Sequence, residues 1–502
     1  MNTIVFVRRF LADYARNPVN LLMLMIVPAV FVVAAAGYLV DAAKLLSDAG
    51  GDAPSVATAT AGWAAAFLAG IAMYFQVSAA RDADRGLVVA GLPAGRLVAA
   101  RLAAGLALAL LASAVALVAL QVRTGIDEPA RVIVGTVMFA VIYLGIGATV
   151  GALVRNPVNG TVLILFVWIL DIFFGPSMGV GTKPWTRALP THFVTLWMVD
   201  RPSGHGGRLG DFGIAGAWTL GALALAFTVV IATARVVRGR RRSWRARPGS
   251  IRDQLIAGTR MGWRDWRRNP VLWLLLAAVP SVFILLAEAT TPHRPIAIAA
   301  TENGVRAPHV VDLFDVHAGL MAPIAIAALA TLAGLFVVLD TGPGDRRIAL
   351  AGLRPGVAFG ARLAVVGLAA ALATGVSLAV TATMFTARQW GWYIAANALI
   401  AATYALLGML LAPLFGRVGG VFIAFLVPFL DIGMGQSPML RGEPAGWARY
   451  APGYGGYRVL IDAVLTGDFD QTRALLIATG WLAALAVAAT LLFRRTIRPT
   501  TG

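Results

Sequence analysis

The chain has no cysteine, two lysines and few charges for its length. The lack of cysteine excludes a disulfide framework, thiol chemistry and a cysteine-ligated metal site. Neither lysine, Lys44 or Lys183, follows the glycine loop that cradles a nucleotide phosphate, so the chain carries no Walker-type ATP site. The five histidines (His192, His205, His293, His309, His317) fall in or near one set of loops, and no two have the spacing of a helical zinc site. No cluster of histidines and carboxylates and no nucleophile motif marks a catalytic constellation. Charged residues are 13% of the chain, where a soluble domain carries about a quarter. A cleavable signal pattern is missing too, because Arg8, Arg9, Asp13 and Arg16 interrupt the first apolar stretch.

What is present is apolar surface. Hydrophobic residues are 59% of 502, and the mean hydropathy is +0.78. A soluble fold of this size cannot hide that much, so the sequence predicts an all-α polytopic membrane protein. A bilayer core takes about 20 apolar residues per helix. Six such segments occur in the first half, near 20–40, 58–79, 98–121, 131–153, 159–175 and 211–235. Six more occur near 271–289, 315–339, 358–385, 391–413, 418–433 and 472–493.

The two sets are related. Arg16-Asn17-Pro18-Val19 recurs as Arg268-Asn269-Pro270-Val271, 252 residues on. Asp84-Arg85, Ala90-Gly91-Leu92 and Ala100-Arg101-Leu102 recur as Asp345-Arg346, Ala351-Gly352-Leu353 and Ala361-Arg362-Leu363. Leu170-Asp171 recurs as Leu430-Asp431, and Trp185, Arg187 and Pro190 as Trp447, Arg449 and Pro452. A unit this long is no solenoid repeat. The expected architecture is 12 transmembrane helices as two homologous six-helix halves about a pseudo-twofold axis. The halves are 1–235 and 259–502, joined by a basic linker at 236–258 that holds Arg238, Arg240, Arg241, Arg242, Arg245 and Arg247.

The net charge of +18 follows from this topology. With the N-terminus inside, the inner segments hold 28 of the 42 basic residues and only 7 of the 24 acidic ones. Such an excess of arginine on one side predicts both termini in the cytoplasm. It argues for contact with anionic membrane lipid and against nucleic-acid binding.

Each half opens with an amphipathic stretch. Phe6, Val7, Phe10, Leu11 and Tyr14 share one helical face, and Arg8, Asp13 and Arg16 point elsewhere. Arg260, Asp265, Trp266 and Arg268 match them in the second half. This pattern predicts a helix in the membrane interface with its apolar face in lipid. The inner loop after the second span reads Asp84-Arg85-Gly86, an apolar run from Leu87 to Ala90, then Pro93 and Arg96. Its counterpart reads Asp345-Arg346, an apolar run from Ile348, then Pro355. Charge, apolar centre and kink together predict a short helix across the inner membrane face, suited to another protein's grip.

Taken together, these features resemble the membrane subunits of ABC-2 type exporters, in particular the fused twelve-span permeases of actinobacterial antibiotic and drug exporters. The resemblance implies a bacterial plasma-membrane permease that is not itself an enzyme. It also implies a hydrophobic or amphipathic small-molecule substrate, and an ABC ATPase partner, in two copies, that supplies ATP and Mg. The coupling role would fall to Asp84, Arg85, Gly86, Leu87, Pro93 and Arg96, and to Asp345, Arg346, Ile348 and Pro355. The family's lead-in helix also touches the ATPase, which implicates Arg8, Asp13, Tyr14 and Arg16 with Arg260, Asp265, Trp266 and Arg268. The second copy departs from the pattern, with Arg347 where Gly86 stands and Pro355 shifted by one.

Two further readings compete. A major-facilitator-like secondary efflux transporter also has twelve spans and similar halves, but its loop stays charged where this one turns apolar. An intramembrane enzyme would need the constellation that is missing. Asp171 and Asp431 sit in matching places at span ends, either as pathway carboxylates or as caps of the helix that follows. The aromatic outer segments 176–210 and 434–471 suit an interfacial belt.

Overall fold

The computed structural model describes residues 3–46, 53–178, 184–199, 207–234, 255–256, 259–260, 270–350, 355–440 and 442–497, with only the backbone at 46, 208, 270, 343, 346–350, 355 and 497. The chain divides into two compact units, Met1–Arg241 and Arg242–Gly502. Most of the expected linker, and Asp265, Trp266 and Arg268, lie outside the described residues.

Unit 1 begins with α1 (Thr3–Ala15) and α2 (Pro18–Val30). Asn17 caps α2, its side chain accepting the Val19 amide at 3.1 Å, and Pro18 takes the first helical position, where no amide is needed. A π-helical turn (Phe31–Ala35) leads into α3 (Ala36–Leu46). Then come α4 (Ala53–Val89), α5 (Ala94–Arg123), α6 (Pro129–Leu153) and α7 (Pro157–Phe173). Asn156-Pro157 starts α7 by the same device, with Asn156 accepting from Val158 at 2.9 Å. The short α8 (His192–Val199) and the long α9 (Gly207–Ala234) complete the unit.

Unit 2 opens with α10 (Pro270–Ala289). A β-hairpin follows, β1 (Pro295–Glu302) against β2 (Val305–Asp312), a departure from the all-α expectation. Its tip is Asn303-Gly304, both at positive φ (54° and 76°). That dipeptide is the strongest short-range hairpin signal, and it was there to be read. Next are α11 (Leu313–Leu350), α12 (Pro355–Thr381), α13 (Trp390–Pro428) with a π-helical extension (Phe429–Gly435), α14 (Tyr454–Leu465) and α15 (Thr472–Ile497). The fourth and fifth expected spans of this half run together through α13 across Gly416, whose φ of 65° breaks the helix.

Ten helices among the described residues are long and apolar enough to cross a membrane, so the chain is a multi-pass helical membrane protein. Of the twelve expected segments, 159–175 falls on the shorter α7, and 391–413 and 418–433 fall on one element, α13 with its extension. In unit 1, α4 is the central helix: its most apolar stretch is 94% buried, against 17% for α9. Small residues make that possible. A Cβ on Gly147 of α6 would fall on the Gly70 carbonyl of α4, and one on Gly408 of α13 would fall on the Thr331 carbonyl of α11. Backbones this close gain dispersion contact where no hydrophobic effect drives helices together.

Arginines close the helix ends. Arg81 donates to the Gly151 and Val154 carbonyls at the end of α6, the latter at 2.7 Å. Arg123 donates to Val32 at 2.6 Å and to Val33, carbonyls of the π-helical turn. In hydrocarbon such groups have no water to fall back on.

Candidate functional site

The repeated loop after the second span is the best-defined candidate. At 37 residues, α4 measures about 55 Å at 1.5 Å per residue, well beyond a bilayer core of about 30 Å. The expected short crosswise helix is therefore not a separate element. Asp84 to Val89 are the last turns of α4 itself, and α11 likewise runs unbroken to Leu350. The reason is that nothing in Asp84–Val89 breaks a helix except Gly86, which a helix tolerates.

The stop comes at Gly91, at φ 95°. The Leu92 amide reaches the Leu87 carbonyl at 3.0 Å and the Gly91 amide reaches Val88 at 3.1 Å, the paired closure that a left-handed glycine allows. Pro93 then leads into α5. The turn, with the ends of α6 and α9 beside it, forms what is called here the turn end of unit 1.

The charged residues of the loop divide by direction. Asp84 is buried, and its carboxylate takes the Arg101 guanidinium at 2.6 Å. Arg101 also donates to the Gln76 carbonyl at 3.2 Å and stands 4.2 Å over the Phe10 ring of α1. One guanidinium thus ties α4, α5 and α1 together. Arg85 turns to the Thr233 carbonyl at the end of α9, 3.2 Å away. Gly86, Leu87, Val89, Pro93 and Arg96 face outward, with Leu87 38% and Val89 74% exposed. The turn is therefore welded to four helices from within and shows an apolar, basic-edged surface outside.

Unit 2 repeats the inner half of this arrangement. Arg362 grips Asp345 with two contacts, 2.6 and 3.2 Å, and both residues are buried. The side chains of Arg346, Ile348 and Pro355 lie outside what is described.

The lead-in helix α1 follows its expected pattern of faces. Phe6 and Tyr14 are buried, and Arg8, Asp13 and Arg16 are exposed, with Arg16 and Asp13 paired at 3.0 Å. Its buried aromatic face meets protein, however. It packs on α5, held by Phe10 over Arg101. Burial pushes the Tyr14 phenol well above its usual pKa. Arg260 is exposed, and the rest of the second lead-in segment is not described.

Asp171 and Asp431 are far from the loop in sequence and serve as latches. Asp171 accepts the Tyr143 hydroxyl at 3.0 Å, the Thr191 hydroxyl at 2.6 Å and the Thr191 amide at 3.3 Å. Thr191 immediately precedes α8. Asp431 accepts the Tyr404 hydroxyl, the Gln436 amide at 2.8 Å and the Gly453 amide at 2.8 Å, just before α14. Each carboxylate thus caps the short helix that follows its span, from 20 or 22 residues away. These short helices mark the cap end of each unit.

The sequence reading did not place Arg101, Arg362, Tyr143 or Tyr404 in a site. Arg101 recurs as Arg362 and Tyr143 as Tyr404, both at an offset of 261 residues, and a charge just inside a span needs a partner. Those two facts together were the available signal.

An apolar cleft of about 460 Å³ opens between α6 and α9, lined by Ile142, Ile146, Val150, Trp218 and Leu225. Among the described residues no three His, Asp or Glu side chains group as metal ligands would. Compared with protein-family models and with curated proteins, the chain matches none.

Proposed function

We propose that the chain is the permease of an ATP-driven exporter of the ABC-2 type, with twelve crossings in two related halves and both termini in the cytoplasm. Nine of the ten long helices, with α7 and the two segments of α13, would supply the twelve crossings. The buried pairs Asp84–Arg101 and Asp345–Arg362, and the latches Asp171–Tyr143 and Asp431–Tyr404, support a duplication. The observation that carries the reading is the turn after α4. Its apolar surface is exposed while its polar side chains anchor it to α1, α5, α6 and α9. A partner ATPase that pushed on this turn would move four helices. Asp84, Asp345 and Arg85 then act as positioning residues, and Gly86, Leu87, Pro93 and Arg96 form the contact. The loop motif occurs twice in the sequence, at Asp84 and at Asp345, which suits two ATPase subunits. The cargo is hydrophobic or amphipathic, in keeping with the apolar cleft.

The test is Leu87→Asp. Leu87 lies at the end of α4 and is already 38% exposed, so the change leaves folding intact. A new charge sealed under a partner is costly because it loses its hydration. The expected result is loss of ATPase copurification, or ATP turnover without efflux. Normal assembly and normal efflux would remove the turn as the coupling element.

A further inference from the structure

One arginine at the cap end of unit 2 is buried with nothing to hold. Arg458 lies in α14, is 7% exposed, and makes no hydrogen bond or ion pair among the described residues. Its nitrogens are not sealed in, so the head reaches an opening. A guanidinium stays charged in a protein, and a buried charge is costly unless paired.

Its obvious partners are taken. Asp462 stands four residues on, along the same helix face. Its carboxylate accepts the Thr466 hydroxyl at 3.1 Å and the Asp470 amide at 3.2 Å. Glu443 is also within electrostatic reach of Arg458. That carboxylate is shared by Arg306 of β2 at 3.1 Å and Arg449 at 3.6 Å. Two guanidinium groups thus pair with Glu443, and that of Arg458 stands within electrostatic reach of it without pairing. Burial first, and Arg306 second, lower the pKa of Arg458. Trp447 and Tyr450 lie within two residues of Arg449 in sequence and are 50% and 82% exposed. Exposed aromatics with a polar handle settle at lipid headgroup level. The matching helix of unit 1, His192–Val199, has no arginine.

We propose that Arg458, with Arg306 and Arg449, binds a phosphate group at the cap end of unit 2, either the phosphodiester of an anionic phospholipid or free phosphate. Guanidinium forks match phosphate oxygens two at a time. The buried fork contributes most, since water competes least for it. The aromatic flank places the site where lipid phosphates lie. Binding is read on the chain alone, without ATP or a partner, so this proposal and the exporter reading stand or fall separately.

The experiment uses the full chain in detergent micelles, with phosphatidylglycerol, phosphatidylcholine and inorganic phosphate as probes. Bound lipid is read by native mass spectrometry, and phosphate by thermal shift. Arg458→Gln is compared with wild type and with Arg473→Gln, an exposed charge on α15. Phosphatidylglycerol occupancy should fall about tenfold in Arg458→Gln, the worth of one charge-assisted contact, and hold in Arg473→Gln. A phosphate-induced shift that vanishes in Arg458→Gln, without lipid preference, would support the site with free phosphate as its source. Unchanged binding of every probe in Arg458→Gln would overturn it, and so would an equal loss in Arg473→Gln. If Arg458→Gln does not fold, Glu443→Gln frees two guanidinium groups and should tighten phosphate or phosphatidylglycerol binding several-fold. No gain there would also overturn the site.

Discussion

The buried pair behind the turn gives the sharpest stability prediction. Removing one partner of a buried ion pair costs about 3–5 kcal/mol, because the other charge is left without compensation. The two units should differ within that range. After Asp84→Leu, Arg101 keeps the Gln76 carbonyl at 3.2 Å and the Phe10 ring at 4.2 Å, so the low end applies. After Asp345→Leu, Arg362 loses contacts at 2.6 and 3.2 Å from a side chain only 5% exposed, so the high end applies. Replacing both partners by apolar residues, as in Asp84→Leu with Arg101→Met, removes the desolvation cost with the attraction and should fall within about 1 kcal/mol of wild type. For a unit of this size 1 kcal/mol moves the midpoint by about 2–4 °C. The assay is heating in detergent micelles, with the folded fraction read by size-exclusion chromatography. The expected order of midpoints is wild type near the double variant, then Asp84→Leu, then Asp345→Leu. The reasoning fails if the single variants melt with wild type, or if the double variant loses as much as its two singles combined.

Three other outcomes follow from the packing. Gly147→Ala puts a Cβ on the Gly70 carbonyl and should destabilise by about 1–3 kcal/mol, whereas Gly216→Ala meets open space and should be neutral or mildly stabilising. Equal melting of the two variants would contradict the close approach of α4 and α6. Asp171→Asn leaves fewer acceptors for three donors and should cost about 1–3 kcal/mol, with Thr191→Val costing less because the Thr191 amide bond survives. The check is the same heating assay, and a Thr191→Val loss exceeding that of Asp171→Asn would reverse the assignment. Arg81→Met strands two carbonyls at the end of α6 and should raise amide exchange at Val154–Asn159, where a change confined to α4 would count against the cap.

The apolar helices were legible because they rest on composition, and the expected sidedness rests on composition as well. An apolar run of about 20 residues has few places to go but a bilayer, and arginine counts differ between alternate loops whatever the packing. The faces of α1 were legible for a similar reason, since Phe6, Phe10 and Tyr14 recur at the helical period. The Asn-Pro starts at 17 and 156 are local chemistry, as is the Gly91 stop, and each acts within a few residues. The duplication of motifs is a property of the string itself.

Tertiary structure decided which way the charges point. Asp84 and Arg96 lie in one loop, yet the first is buried against Arg101 and the second faces out. No local rule separates them, because the partner is 17 residues away and one helix over. The same holds for Asp171, whose role as a cap depends on Thr191 being brought back 20 residues later. It holds for α1, whose apolar face is suited equally to lipid and to protein until α5 stands beside it. Hydropathy records how much a residue avoids water. What it rests against instead is set by packing between distant segments, and that only the folded chain determines.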